Sequence, residues 1–405
     1  MRPKPSLAEQ WAALDRNAPE CKLQALRIAL RGGAYDMGAR LVDEIVDQPA
    51  ARTLAAEALY AVGRREQALA LAPRCPDPDE LARYAEKHPF APLWKPQLHL
   101  ARAMVRHRTG RAGFLVELNR FLRSQGLPRC SLAEDSGDFL ADLRFETPRR
   151  FTAGPLVSVL VAAHNASNTI TYAIDSLLGQ SYRNLEVLVC EDAGEDDTLR
   201  LLKHRYGGEP RVRLFFSRAN QGPYNVRNAL LARARGHFVT FHDADDLALP
   251  TRIETQVAAM RHHVASYVAL VRVTSAGAFS FFHGGSAIRP AMVSLMTRRT
   301  HMARFRSARF GADLEMREEL RARYGQYAID VLRRPLLFCL LSTSSLTRRD
   351  GSESLDDGYR SPARRAYSEA VFRRYVTGDI DDAGIEATLY GTDNYLPPRA
   401  IVECS

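Results

Sequence analysis

From Val157 to Asp246 the chain alternates between short apolar runs and amphipathic helical stripes, and that alternation leaves few folds open. Val157–Ala163, Leu185–Cys190, Val212–Phe216 and Phe238–Phe241 are runs of strand length, rich in β-branched and aromatic residues. Between them Ile170, Ala173, Ile174, Leu177 and Leu178 fall on one helical stripe, and Leu199, Leu201 and Leu202 mark a second. A third helix is expected from Asn220-Gln221-Gly222-Pro223 to Arg235, closed by Gly236. Strands separated by helices pair in parallel and build a doubly wound sheet covered on both faces. The expected class is α/β.

Two of the runs end in acidic clusters. The run after His237 ends in Asp243, Asp245 and Asp246, three carboxylates within four positions. Carboxylates so close repel one another unless a positive charge sits among them. Oxygen ligands at this density suit a hard cation, Mg²⁺ or Mn²⁺, shared with a phosphate-bearing molecule. An Asp-rich turn capping the next helix would show the same residues. The second cluster, from Glu191-Asp192 to Thr198, ends another strand. Parallel strands put both clusters on one sheet edge, in the crevice where α/β sheets bind ligands, so the ligand reading gains on the turn.

The rest of the chain frames this unit. Residues 1–130 read as helical, opening on the capping pattern Ser6-Leu7-Ala8-Glu9. Glycine junctions at Gly32-Gly33 and Gly63, about 30 positions apart, resemble a short tetratricopeptide-like stack as much as a plain bundle. Residues 131–155 read as a connector, 156–347 as the sheet domain and 348–405 as a C-terminal extension with a basic, aromatic helix over Pro362–Val376. Six scattered cysteines without C-x-x-C spacing speak against a zinc site or a disulfide framework. With no apolar leader after Met1 and no run near the ~20 apolar residues of a membrane span, the expected address is the cytoplasm. The net charge of +9 favours anionic partners. No nucleic-acid-binding motif is present, so nucleic acid is not an expected partner.

Five segments in order resemble family 2 glycosyltransferases of the GT-A type, over roughly Pro155–Thr347. They are Val157–Asn165; Ser176-Leu177-Leu178-Gly179-Gln180-Ser181-Tyr182; Val189–Gly194; Asn220-Gln221-Gly222 with Val226-Arg227-Asn228; and Phe241–Asp246. The resemblance implies a GT-A, Rossmann-like, mixed but mostly parallel sheet, here preceded by an all-α helical domain. It also implies donor-binding residues. Asp192 would accept a hydrogen bond from a uracil-like imide, with Glu191 as the alternative. Ala163 would offer backbone contacts, and His164 and Asn165 would meet the base. Arg227 would balance the acidic cluster or meet a phosphate. Asp245 and Asp243 would hold Mn²⁺ or Mg²⁺, with Asp246 on the ribose or at a second ligand position. Two departures stand out: His164 where the family often has Tyr, and Gly194 where it has Ser.

Downstream, Phe281–Arg289 resembles the family's G-x-x-x-R strand, and Gly311-Ala312-Asp313-Leu314-Glu315 its short acidic motif that opens a helix. The resemblance makes Asp313 the general base, with Glu315 the alternative, although Ala312 stands where a Glu is common. A helix N-cap is the competing role for Asp313. The basic stretch Met296–Phe310, carrying Arg298, Arg299, Arg304, Arg306 and Arg309, fits a solvated face or mobile loop; a lid over the diphosphate or a patch for an anionic acceptor is the functional alternative. The implied activity is metal-dependent, inverting transfer from a nucleotide sugar, UDP-linked, to a glycan or glycolipid. Peripheral membrane contact, or a protein partner at the N-terminal helices, would accompany it. An inactive glycosyltransferase-like scaffold is the rival.

Overall fold

A computed structural model describes residues 5–15, 18–45, 48–71, 78–87, 95–107, 110–133, 136–146, 149–281, 286–308, 310–342, 360–378 and 401–404. Arg108-Thr109, most of the proline-containing interval between residues 72 and 94, Phe282–Gly285, Arg309, Arg348–Ser352 and most of the acidic end beyond Thr377 lie outside these residues.

The chain begins with helices α1 (Leu7–Ala12), α2 (Pro19–Gly32), α3 (Tyr35–Ile45), α4 (Arg52–Ala61), α5 (Arg65–Leu71), α6 (Pro78–Lys87), α7 (Leu98–His107) and α8 (Arg111–Ser124). The Ser6 capping box forms in both directions: Glu9 N–H donates to Ser6 Oγ at 3.0 Å, and Ser6 N–H to Glu9 Oε2 at 2.6 Å. These helices divide between two cores. Leu26, Val42, Ala55, Leu59 and Ala68 of α2–α5 pack on one another. Leu100, Phe114, Leu118 and Phe121 of α7 and α8 instead join the core beneath the main sheet.

The segment expected as a connector is ordered. β1 (Cys130–Leu132) and β2 (Leu143–Phe145) form an antiparallel hairpin around α9 (Phe139–Asp142). Phe139 makes edge contacts with Phe114 at 5.6 Å and Phe279 at 6.1 Å, pinning the hairpin to the sheet domain.

Ten strands then form one mixed sheet. They are β3 (Val157–Ala163), β4 (Leu185–Asp192), β5 (Val212–Ser217), β6 (Phe238–Asp243), β7 (Asp246–Ala248), β8 (Ala265–Val273), β9 (Ile288–Pro290), β10 (Met296–Arg298), β11 (Ile329–Leu340) and β12 (Val402–Glu403). The order is β12-β5-β4-β3-β6-β10-β8-β11-β7, with β9 on β8. The four strands read from the sequence, β5, β4, β3 and β6, are mutually parallel, and β11 runs parallel to β8. Helices α10 (Ile170–Leu178), α11 (Thr198–Tyr206), α12 (Pro223–Leu231), α13 (Arg252–Ala259), α14 (Ala312–Tyr324) and α15 (Pro362–Phe372) complete the fold. This is the mixed, mostly parallel α/β sheet with a helical N-terminal region that the sequence implied.

Alternation along the strands divides the core. Val157, Val159 and Val161 face Ile170, Ile174 and Leu177 on one side; Leu160 and Leu188 face Val226, Leu230 and Phe305 on the other. Register sets the functional edge: Ala162 pairs with Cys190 and with Asp243, and Ala163 with Glu191. The ends of β3, β4 and β6 therefore open onto a single crevice.

The basic stretch after Met296 is a solvated face only in part: Arg299 and Arg304 are exposed, while its two ends pack into the domain. Met296–Arg298 is a strand between β6 and β8, Arg299 Nε donates to Gly236 O at 3.1 Å, and Phe305 is buried against Tyr224 and Phe241. At the far end, α15 docks on the N-terminal helices. Phe372 meets the Trp11 ring edge-on at 5.5 Å, Arg40 pairs with Glu369 at 3.1 Å, and Arg365 pairs with Asp36.

Candidate active site

The crevice is built at three strand ends. At the end of β4, Asp192 is 3% exposed and its carboxylate accepts from Gln221 N–H (2.9 and 3.1 Å) and Gly222 N–H (2.8 Å). These are orphan donors at the start of α12, so the carboxylate satisfies the helix terminus and favours its dipole. Gly222 has φ 78°, a left-handed turn that an L side chain would strain, directly before Pro223 at the first helical position. Burial raises the Asp192 carboxyl above its usual range, while the two N–H groups hold it down. The carboxylate can still accept one more donor on its remaining lone pairs. Glu191 does different work: Oε1 accepts from Gly194 N–H at 2.5 Å and shapes the loop.

At the end of β3, Ala163 is buried while His164 and Asn165 are exposed. His164 Nδ1 lies 2.9 Å from Asp192 O, so it donates there, and Asn165 takes φ 49° with Oδ1 accepting from Glu195 N–H at 2.8 Å. A Cβ at Gly194 would sit 2.7 Å from both Asn165 Oδ1 and Glu191 Oε1. The departure from Ser at this position thus fits the tight Asn165 turn.

At the end of β6, Asp243 remains 42% accessible and its Oδ1 accepts from Arg227 Nη2 at 2.5 Å. The protein packed around the rest of the group raises the Asp243 carboxyl. Asp245 is pushed up to about 7, first by burial and then by the Asp243 charge. The Tyr172 hydroxyl donates to Asp245 O at 2.9 Å and fixes the turn. Asp246 departs from its expected place on the rim. It opens β7, is 4% exposed, and accepts from Cys339 Sγ at 3.0 Å and Leu340 N–H at 3.2 Å. Asp245 lies in the turn after β6, whereas Asp246 begins β7 and pairs with Cys339 of β11, which carries its side chain away from the crevice.

Beneath the cluster lies a residue that pattern reading missed. Arg252 on α13 is fully buried, its guanidinium donating to His242 Nδ1 (3.0 Å), Thr240 Oγ1 (3.1 Å), Phe241 O (2.6 Å) and Gln256 Oε1 (3.2 Å). His242 in turn donates through Nε2 to Asp246 O at 3.1 Å and is held neutral by burial. Desolvation lowers Arg252 to about 10, while the charges of Asp246 and Asp243 partly offset it. Arg252→Met is expected to cost about 3–5 kcal/mol, because it strands buried acceptors and carboxylates without their cation. Denaturant unfolding checks this; a wild-type midpoint would remove Arg252 from the support of the site.

Arg227 and Tyr224, one helical turn apart on α12, tie the two halves of the site together. The Arg227 guanidinium lies over the Tyr224 ring (5.4 Å) and the Phe241 ring (5.5 Å), and the Tyr224 hydroxyl donates to Asp313 Oδ1 at 3.0 Å. Arg227 is 6% exposed, and its Nε is a buried donor without a hydrogen-bond partner among the described residues. Such a group fits an additional oxygen ligand in the crevice.

Asp313 is not a cap. Gly311 is the N-cap of α14 without a side-chain cap bond, and Asp313 sits in the first turn. Glu315 is 4% exposed, and both its oxygens take Arg306 Nε at 2.8 Å while Oε2 also accepts from Tyr367 Oη at 3.0 Å. That ion pair fastens Arg306 to α14 and leaves Asp313 as the partly open carboxylate. Tyr224, the link between Asp313 and Arg227, was legible only as an aromatic three positions before Arg227.

Among the described residues no three or more His, Cys, Asp or Glu converge as a ready-made metal site. Asp243 and Asp245 offer two oxygen ligands, and a hard cation there would need further oxygens from a bound molecule. The raised Asp245 carboxyl fits that arrangement, since a cation offsets both the burial and the Asp243 charge that raise it.

Residues 158–354 match the family model described as glycosyl transferase family 2. A chondroitin synthase of Escherichia coli is 39% identical over 100 residues, covering 25% of this chain and 14% of that protein. The Escherichia coli protein WfgD, named a UDP-Glc:alpha-D-GlcNAc-diphosphoundecaprenol beta-1,3-glucosyltransferase, is 33% identical over 114 residues, covering 28% of this chain and 44% of that protein. The chain thus spans less than half the length of these curated relatives. The solved structure of S. aureus TarS 1–349 in complex with UDP-GlcNAc aligns at 17% identity with a TM-score of 0.40, over 55% of this chain and 74% of that one.

Proposed function

We infer the activity from one premise, that residues 158–354 are a glycosyl transferase family 2 domain. We propose that the chain moves a sugar from a nucleotide-diphosphate donor, UDP-linked, to a hydroxyl of a glycan or glycolipid acceptor, with inversion and with Mn²⁺ or Mg²⁺. The observation that carries the reading is the sheet register, which brings Asp192, Asp243 and Asp245 to one edge with Arg227 among them. The names of the two relatives, a polysaccharide synthase and a lipid-linked glucosyltransferase, support the acceptor classes.

In this reading Asp192 takes the imide N–H of the base on a lone pair left over from its two backbone donors. His164 lies over the same mouth and bounds it. Asp243 and Asp245 would hold the cation, which when bound supplies positive charge against the departing nucleoside diphosphate. Arg227 adds a second positive charge at the diphosphate through its unpartnered Nε. Asp313 takes the proton from the acceptor hydroxyl as it attacks the anomeric carbon from the side opposite the diphosphate. The Tyr224 hydroxyl holds Asp313 in place and leaves its second oxygen to act as the base.

No helix among the described residues is long and apolar enough to cross a membrane. A cytoplasmic protein meeting a membrane-borne acceptor from the side fits this proposal, and the five cysteines in described positions are free thiols.

A donor screen by thermal unfolding tests the reading. UDP with Mn²⁺ should raise the unfolding temperature, because a ligand at ~100 times its Kd adds ~2.7 kcal/mol to the native state. A flat response to every nucleoside diphosphate, with and without metal, would sink the proposal.

A further inference from the structure

We propose that Tyr367 is a positioning residue for the transfer step. From α15 it fixes the start of α14, and Asp313 with it, while the N-terminal helices hold α15 in place. This rests on the reading of Asp313 as the base. Helix α14 begins on Gly311, which has φ 86° and no side chain, so its first turn lacks the side-chain cap that resists fraying. The hold comes from a distance. Tyr367 is 1% exposed, and its ring lies so close to Gly311 that a Cβ there would meet Cδ1 at 2.7 Å and Cε1 at 2.9 Å. Its hydroxyl donates to Glu315 Oε2 at 3.0 Å, and burial together with the Glu315 charge keeps the phenol protonated and a donor. Gly311 and Glu315 stand one turn apart, so Tyr367 grips both ends of the turn that carries Asp313. Arg364, three positions earlier on α15, adds a third point by lying over the Phe310 ring at 4.8 Å.

Helix α15 is itself seated on α1–α3. Phe372 packs edge-on against Trp11 and covers Gly32 so closely that no Cβ would fit there. A Cβ at Gly33 would lie 3.3 Å from Ser368 Cβ and 3.7 Å from Leu314 Cδ2, so the end of α2 lies against both α15 and α14. Glu369 pairs with Arg40, and Arg365 with Asp36. Both α15 and α1–α3 lie outside residues 158–354, the span that matches the family model. The base helix of the family domain is thus clamped from beyond that domain, by α15 directly and by the N-terminal helices behind it. Such a hold matters because a displacement of ~1 Å at a reacting group can cost ~10²-fold in rate. The donor side has anchors of its own, in the Asp192 bonds to Gln221 and Gly222 and the register of β3, β4 and β6. A shift of α14 therefore lowers kcat and leaves the nucleotide bound.

The test uses the full chain with Mn²⁺ and UDP-glucose as the probe donor. It reads UDP release, UDP affinity by calorimetry, and amide exchange over Leu314–Met316. Tyr367→Phe keeps the ring and removes the donor; kcat should fall about tenfold or more while UDP affinity stays unchanged. Gly32→Ala raises the helix propensity of α2 but displaces the Phe372 ring, and should lower kcat in the same way by less. Both should speed exchange in the first turn of α14, where Leu314 and Glu315 N–H bond to Gly311 O. In an Asp313→Asn background Tyr367→Phe should have no further effect on kcat, because a misplaced base and an absent one act at the same step. Wild-type kcat in folded Tyr367→Phe, an equal fall in UDP affinity, or an undiminished effect in the Asp313→Asn background would overturn the proposal. Wild-type kcat in Gly32→Ala would overturn the part given to the N-terminal helices. If the wild type released no UDP, the reading of the activity would fail instead; exchange alone would then decide the hold on α14, with unchanged rates overturning it.

Discussion

Asp245→Ala is expected to lower sugar transfer by about 10³-fold while leaving the protein folded. Removing one preorganised contact to developing charge costs ~10²–10³ in rate, and here the loss goes further. The remaining carboxylate, Asp243, is already engaged by Arg227 at 2.5 Å. With Asp245 gone, no second oxygen ligand stands ready among the described residues, and the cation requirement rests on a group shared with a guanidinium. The fold should survive because the turn is held by the Asp245 backbone, whose carbonyl accepts from Tyr172, and by Arg252 below it. The substitution also removes a buried carboxylate whose charge adds to the effect of burial in raising Asp246. Unfolding temperature is therefore expected to stay level or rise, the usual trade between an electrostatically strained site and stability. A variant that transfers at the wild-type rate with Mn²⁺ would displace Asp245 from the metal role. One that simply unfolds would contradict the account of what holds the turn.

The second large effect is at Asp313. Asp313→Asn should lose ~10²–10⁴-fold in turnover, the range for a positioned general base, while UDP affinity stays unchanged. Asparagine keeps a side-chain oxygen to accept from Tyr224, so the local geometry persists and the missing function is proton transfer alone. Glu315→Gln offers the contrast. It breaks a buried pair with Arg306 and weakens the bond from Tyr367, so its damage should appear in stability, by about 3–5 kcal/mol. Kinetics and unfolding measured on both variants separate base from buttress. If Asp313→Asn turned over normally and Glu315→Gln did not, the base assignment would move to Glu315.

Much of this site is legible in the sequence. The four parallel strands were readable because each is buried on both faces and so is almost continuously apolar. Asp192, Asp243 and Asp245 could be placed at their ends because parallel strands share a carboxyl edge. What could not be read depends on neighbours distant in sequence. Asp246 looks identical to Asp243 and Asp245 in the chain, yet pairing of β7 with β11, some 90 residues on, turns it inward. Met296–Arg298 is too short and too basic to resemble a strand, and is one only because β6 and β8 leave a gap for it. Arg306 looked like surface charge, and Glu315 makes it a core residue. The same holds for the helical module. Its repeat-like spacing said nothing of α7 and α8 packing beneath the sheet, or of α2–α3 forming a wall beside Asp313.

The central claim is that the two acidic strand ends form one metal-assisted site for a nucleotide sugar. Release of UDP from a UDP-sugar, followed in the presence of acceptor first with Mn²⁺ and then with excess EDTA, tests it most directly. The account predicts turnover with Mn²⁺, its loss in EDTA and its return when Mg²⁺ or Mn²⁺ is restored. Full turnover in excess EDTA would contradict it.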